Sequence, residues 1–336
     1  MNNFKKVGLS ALAGSLAVVS AQASEMTVTG DTQIVWTSQE GNQADAATSN
    51  GKGIGVDTDV YFNASGELDN GFTLAFFTAQ DMDGSANTSS MQATLGMGSL
   101  GTIVFADVGG SSANAIDDVL PFAYEETWDG TSHTSVFHGF GGSTTSGAID
   151  YRTPSFSIGD ISISGSYVYD PNAGDTTQVS AGGINAAAAA SGEAYTVKVA
   201  GYGFTVGGGN EEVVTDATST SDLQRSTVYA KYSNGPITVG YQEFYTNSAD
   251  LAADLSGDGI GISFAQDNYS ISYAEIEEGT DNLSATTAVQ TELSALQATY
   301  TMGAMTLGVS LYETDNPGAV AATKYEETEV SLSFAF

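Results

Sequence analysis

Residues 55–76 read GVDTDVYFNASGELDNGFTLAF. Val56, Thr58, Val60, Phe62 and Ala64 fall on one side of an extended chain here, and Asp57, Asp59, Tyr61, Asn63 and Glu67 on the other. A period of two sustained this long marks a β-strand with one apolar and one polar face. Asp69-Asn70-Gly71 follows, and Asn-Gly supplies the positive φ that a tight turn needs. Phe72, Leu74 and Phe76 then resume the apolar side. The stretch predicts an antiparallel hairpin.

The same unit recurs along the chain. Met91, Ala93, Leu95 and Met97 lead through Gly98-Ser99-Leu100-Gly101 to Ile103 and Phe105. Val228, Ala230 and Tyr232 lead through Ser233-Asn234-Gly235-Pro236 to Ile237, Val239 and Tyr241. Ile260, Ile262 and Phe264 pair across Gln266-Asp267-Asn268 with Tyr269, Ile271 and Tyr273. Short turns alternate with long polar connections, read at 38–52, 81–88, 108–135, 170–192, 211–223, 247–257, 277–290 and 313–323. The pattern gives about 16 strands. It predicts an all-β fold, a transmembrane antiparallel up-and-down β-barrel wide enough for an aqueous channel.

Composition agrees and excludes other classes. With 8 Lys+Arg against 40 Asp+Glu the net charge is -32, which rules out nucleic-acid partners, since phosphate recognition needs Lys and Arg. No cysteine means no disulfide, thiolate nucleophile or Cys-ligated metal. Hydrophobic residues make up 41%, too many for a disordered acidic chain.

The N-terminus reads as an address. Lys5 and Lys6 precede an apolar run from Val7 to Ser20, and Ala21-Gln22-Ala23 fits an A-x-A cleavage site. Residues 1–23 are therefore expected to be a signal peptide, with 24–336 a single barrel domain. The run is too short to span a bilayer as a helix. Removal takes two of the eight basic residues, and 6 minus 40 leaves -34. From residue 24, 313 residues over 16 strands give about 20 per strand and connection, matching strands of about 9–11 residues.

Alternation alone fits a secreted soluble β-protein too, such as an adhesin or surface-layer module. Three features favour the barrel. The polar faces are small or acidic rather than Lys-rich. Tyr167, Tyr169, Tyr232, Tyr241 and Tyr273 sit near strand ends, as interfacial girdles do. The chain stops at Phe336, directly after a strand carrying Val330, Leu332 and Phe334.

Taken in order, the A-x-A signal, the first strand over 26–36, GELDNGF (66–72), LGTIVF (100–105) leading into a long third loop, IDYRTPSF (149–156) and the terminal SLSFAF (331–336) resemble the general porins of Gram-negative bacteria, of the alphaproteobacterial type. The resemblance covers essentially all of 24–336. It implies a 16-stranded barrel in the outer membrane, usually a homotrimer in lipid and lipopolysaccharide. It implies a third loop folded into the lumen as a constriction, and Phe336 as the signal read by the barrel-assembly machinery.

By position the constriction loop is 108–135. Its Asp117, Asp118, Glu125, Glu126 and Asp129 are the candidate constriction carboxylates, with Phe122, Tyr124 and Trp128 as anchors to the wall. The family places a cluster of Arg and Lys on the facing wall. This chain departs from that, because the second strand presents Asp57 and Asp59 inward instead. Alternation puts Asp150, Arg152, Lys198, Arg225 and Lys231 on the lumen face as well.

Other chemistry is thin. His133 and His138 lack a third metal partner. Asp81-Met82-Asp83-Gly84 and residues 254–259 are similar to calcium loops without completing the EF-hand pattern. No catalytic motif occurs. The expectation is a non-enzyme with no cofactor beyond Ca²⁺ or Mg²⁺ held loosely by acidic loops. A cation-selective pore for passive diffusion of small hydrophilic solutes is the expected function.

Overall fold

The computed structural model describes residues 25–42, 50–82, 87–108, 110–129, 139–144, 147–171, 191–214, 222–248, 254–280, 289–317 and 320–336. The expected signal peptide, His133, His138, Asp83 and Gly84 lie outside them.

Among the described residues seventeen strands form one sheet: β1 (Glu25–Gly41), β2 (Gly51–Glu67), β3 (Thr73–Asp81), β4 (Asn87–Gly96), β5 (Thr102–Val108), β6 (Ala148–Arg152), β7 (Phe156–Ile158), β8 (Ile161–Asp170), β9 (Ser191–Gly201), β10 (Phe204–Val214), β11 (Leu223–Asn234), β12 (Ile237–Ser248), β13 (Leu255–Gln266), β14 (Tyr269–Thr280), β15 (Thr291–Met302), β16 (Met305–Asp315) and β17 (Lys324–Ala335). Each pairs antiparallel with its sequence neighbour, save that β6 and β7 both pair with β8. They are two halves of one wall strand, interrupted at Thr153-Pro154-Ser155, where proline has no N–H to give the ladder. The barrel thus has 16 wall positions. It closes because β1 pairs with β17 as well as β2.

The first residues read in the sequence sit as expected. Val56 and Ile54 face outward and are exposed, whereas Asp59 faces inward at 3% exposure. The parity holds round the barrel, with Phe105, Val197, Val206, Ile260 and Ile271 all exposed on the outside. Near the turn end aromatic rings pack in outward pairs, Phe204 with Tyr232 at 4.4 Å and Tyr269 with Tyr300 at 5.4 Å between centroids. Further up the wall, Tyr195 and Tyr241 donate to Glu193 (2.9 Å) and Glu243 (2.7 Å). An apolar outer band with aromatic edges is the surface a barrel needs in lipid.

Turns close one end and long connections the other. Tyr202 and Gly203 both take positive φ (54° and 83°), which lets two residues reverse the chain between β9 and β10. Several expected connection ends move by a few residues, and two of the shifts bear on candidate sites. Residues 255–259 belong to β13, so that calcium-like stretch is a strand. The third connection runs to Gly147 rather than ending at 135, because β6 begins only at Ala148.

Candidate functional site

The described parts of the third connection, 110–129 and 139–144, lie against the inner wall of the barrel. Arg152 and Asp150 on β6 hold its start. Asp150 is fully buried, accepts from Ser112 N (2.8 Å), Ser112 Oγ (2.7 Å) and Arg152 Nε (2.8 Å), and Arg152 Nη2 donates to Gly110 O (3.0 Å). Ala113 then packs with Phe140, Ala148, Val168 and Ala194 against β6, β8 and β9.

Next the loop meets β12. The Gln242 amide, 0% exposed, accepts from Val119 N (2.8 Å) and donates to Ile116 O (3.0 Å) and Asp117 O (3.2 Å). Leu120 enters a cluster of Phe244, Ala274, Ile276 and Leu293, with Trp128 against it. Burying such a leucine stabilises the docked loop by about 1.5–3 kcal/mol.

On β15, Gln297 does the same for the next residues. Its carbonyl oxygen accepts from Ala123 N (3.2 Å) and Tyr124 N (3.0 Å), and its amide donates to Glu125 O (2.6 Å). Tyr124 then donates to Glu329 on β17 (2.6 Å), while Gln33 on β1 donates to the Tyr124 hydroxyl (2.9 Å). Tyr312 on β16 donates to the Glu125 carboxylate. The returning limb is fixed at β10, where buried Glu211 accepts from Gly141 N (3.0 Å), Ser143 N (3.2 Å), Thr144 Oγ1 (3.0 Å) and Arg225 Nη1 (3.1 Å).

The sequence-predicted carboxylates are therefore together in one loop but do not stand in open water. Asp117, Asp118, Glu125 and Glu126 are all buried, and Asp129 is half-buried. Asp117 and Asp118 brace the loop's own turns, and Glu125 ties it to the wall at Tyr312. Asp117 accepts from Asn114 Nδ2 (2.9 Å) and Asp118 N (3.0 Å), and Asp118 accepts from Leu120 N (2.8 Å). Burial, then the charge of Glu329, pushes the Glu125 carboxyl well above the ordinary carboxylate range. Burial and the neighbouring Glu125 also raise the Tyr124 phenol. The reason is geometric: a loop that hugs the wall folds its short carboxylates back on its own N–H groups and reaches the wall's inward donor Tyr312 only through the longer Glu125.

None of the anchors just described comes from β2 or β3. Asp31 on β1 is directly opposite Asp59 on β2, and Asp59 is directly opposite Asp81 on β3. Asp57 is two residues along the same face. Four aspartates thus share one stretch of wall beside the Tyr61 and Phe77 rings, which stack at 6.2 Å.

Of the predicted wall cations, Arg152 is tied to Asp150 and Arg225 to Glu211. Lys198 is exposed to the lumen and Lys231 half-buried. Sequence reading missed Gln33, Gln242, Gln297, Tyr312, Glu211 and Glu329. Their one signal is a large polar side chain at an inward position of a strand. Phe336 continues the ladder, exchanging 2.8 Å backbone hydrogen bonds with Gly30 in both directions. Among the described residues no group of three His, Cys, Asp or Glu side chains could hold a metal ion.

The sequence model of a family described as Gram-negative porin matches residues 8–275. No curated protein matches. Among solved structures, Salmonella typhi OmpF in complex with daunomycin is similar at TM-score 0.69 and 12% identity, covering 93% of this chain and 98% of its own. An anion-selective porin from Comamonas acidovorans is similar at 0.65 and 12%, covering 94% and 100%. The trimer form of Vibrio cholerae OmpT is similar at 0.63 and 10%, covering 94% and 100%.

Proposed function

Because the chain belongs to the Gram-negative porin family, and is thus an outer-membrane channel for passive diffusion rather than an enzyme, we propose that its pore selects for cations. The observation that carries this is the group of inward-facing aspartates on β1, β2 and β3, of which Asp31, Asp57 and Asp81 are half-buried and Asp59 lies buried among them. The fold does not decide the sign, since an anion-selective porin shares it. The sign follows from the charges each chain puts in its lumen. One carboxylate acting on an ion ~6 Å away is worth about 0.7 kcal/mol in bulk water and about 2.8 kcal/mol at an effective dielectric of 20. Cation attraction and anion repulsion both count, so one or two such groups give about a tenfold preference.

The working unit is a homotrimer in lipid and lipopolysaccharide, inserted by the barrel-assembly machinery with Phe336 in its recognition signal. Support for the trimer is the shared fold with OmpT, itself solved in a trimer form. Reversal potential across a KCl gradient tests the selectivity. A potential on the K⁺ side is expected, shrinking at high salt because the Debye length is only about 8 Å at physiological ionic strength. A potential on the Cl⁻ side would overturn the reading.

A further inference from the structure

Six basic residues follow residue 23, and three are neutralised. Arg152 pairs with Asp150, Arg225 with Glu211, and Lys324 with Glu313 and Glu326. Lys198 makes no ion pair among the described residues. The charges of Asp118 and of Lys198 both act on the Lys231 ammonium. In a chain with 40 Asp and Glu side chains, two lysines have been left on the lumen wall on strands one apart.

The strand register explains how they meet. Lys198 on β9 is opposite Gly207 on β10, and Gly207 is opposite Tyr229 on β11. Two residues nearer the turn, Thr205 is opposite Lys231. Gly207 has no side chain, and the Tyr229 hydroxyl fills that space, 2.5 Å from where a Cβ would be. The hydroxyl thus lies between the strands that carry the two lysines. The Lys231 stem and Pro121 of the loop both pack over Gly240, which sets Lys231 at the edge of the constriction.

We infer that Lys198, Lys231 and Tyr229 form a station for the carboxylate of a small amino-acid-like solute on the wall beside the constriction. Two ammonium groups and a phenol are all donors toward an oxyanion. Asp118 offsets one of the two positive charges, its Oδ1 already accepting from Leu120 N, so a surplus of one remains. A bound carboxylate would relieve the repulsion between the lysines and make charge-assisted hydrogen bonds. The aspartates of β1, β2 and β3 across the lumen disfavour a plain anion. A solute carrying an ammonium group as well engages both walls. The inference rests on the cation-selective channel proposed above and adds the class of solute it handles.

The test compares 4-aminobutyrate with butylamine, which has the same length and ammonium group but no carboxylate. The readout is the concentration of each that halves the K⁺ current of the full-length protein in planar bilayers at low salt. In the wild type 4-aminobutyrate is expected to act at a concentration about threefold or more lower, the worth of one charge pair at ~6 Å in bulk water. The Lys198→Gln/Lys231→Gln variant should lose the difference, and Lys198→Arg/Lys231→Arg should keep it. Unaltered migration of unboiled protein checks that both variants fold. Equal potency in the wild type, or a difference that survives in the glutamine variant, overturns the station. Either result with a K⁺-selective current leaves the channel reading standing. A Cl⁻-selective current defeats that reading first.

Discussion

The Tyr124 hydroxyl donates a 2.6 Å hydrogen bond to Glu329 of β17, and Gln33 of β1 donates to the same hydroxyl at 2.9 Å. One loop residue therefore bridges the two strands that close the barrel. Tyr124→Phe removes the bridge and leaves the buried Glu329 carboxylate without that donor. Losing a buried charge-assisted bond costs about 1–3 kcal/mol. The temperature at which unboiled protein loses its compact gel mobility is expected to fall by several degrees. An unchanged transition would show that the seam does not depend on the loop.

Loop docking should weaken as pH rises. The Glu125 carboxyl is raised in the docked state by burial and the charge of Glu329. An undocked Glu125 gives up its proton at an ordinary carboxylate pH, before the docked one does. Docking is then fully favoured below that range and loses stability from there up to the raised value, where the loss levels off. Trp128 packs against the apolar cluster under the loop and can report it. In a Trp36→Phe background, emission should shift to the red through this interval. The shift should vanish in Glu125→Gln, which stays neutral at every pH.

Gly30 accommodates Phe336. A Cβ at position 30 would lie 2.7 Å from the Phe336 ring and 2.9 Å from the Asp59 carbonyl oxygen. The ring can turn aside but the carbonyl cannot. Gly30→Val should lower the fraction of heat-modifiable barrel on refolding of purified protein in detergent, where no assembly machinery acts, and Phe336→Ala should restore it only in part. Wild-type levels for Gly30→Val alone would show that the seam tolerates the extra bulk.

Much of the fold was legible because a two-residue period writes the barrel's inside and outside directly into the chain. Residues 55–76 carry both faces and the turn. What periodicity could not express was the loop. Nothing local to Asp117 or Glu125 says whether each side chain turns to water or to the wall. The answer depends on Gln242, Gln297 and Tyr312, which are over a hundred residues away in sequence. The break in the sixth wall strand was hidden for a different reason. Pro154 marks the interruption, but Phe156–Ile158 is too short to show a period of its own.

The placement of the acids separates two kinds of charge, and neutralising each kind should have a different effect. Asp31, Asp57, Asp59 and Asp81 belong to wall strands and stay put when altered. Asn at all four should move the KCl reversal potential most of the way to zero, because about 0.7–2.8 kcal/mol per carboxylate at ~6 Å is lost with little structural change. Of Asp117, Asp118, Glu125 and Glu126, all buried, the first two brace the loop's own turns and Glu125 ties it to Tyr312. Their amides keep much of the hydrogen bonding but place an N–H₂ where Asp118 and Glu125 accept from Leu120 N and the Tyr312 hydroxyl. That set should move the potential less and instead raise current noise, as a loosened loop 3 would. Reversal potential and open-channel noise in the same recordings distinguish the two. If the loop set alone abolishes selectivity while the wall set leaves it intact, the sign of the pore is set at the loop, and the aspartate wall is only lining.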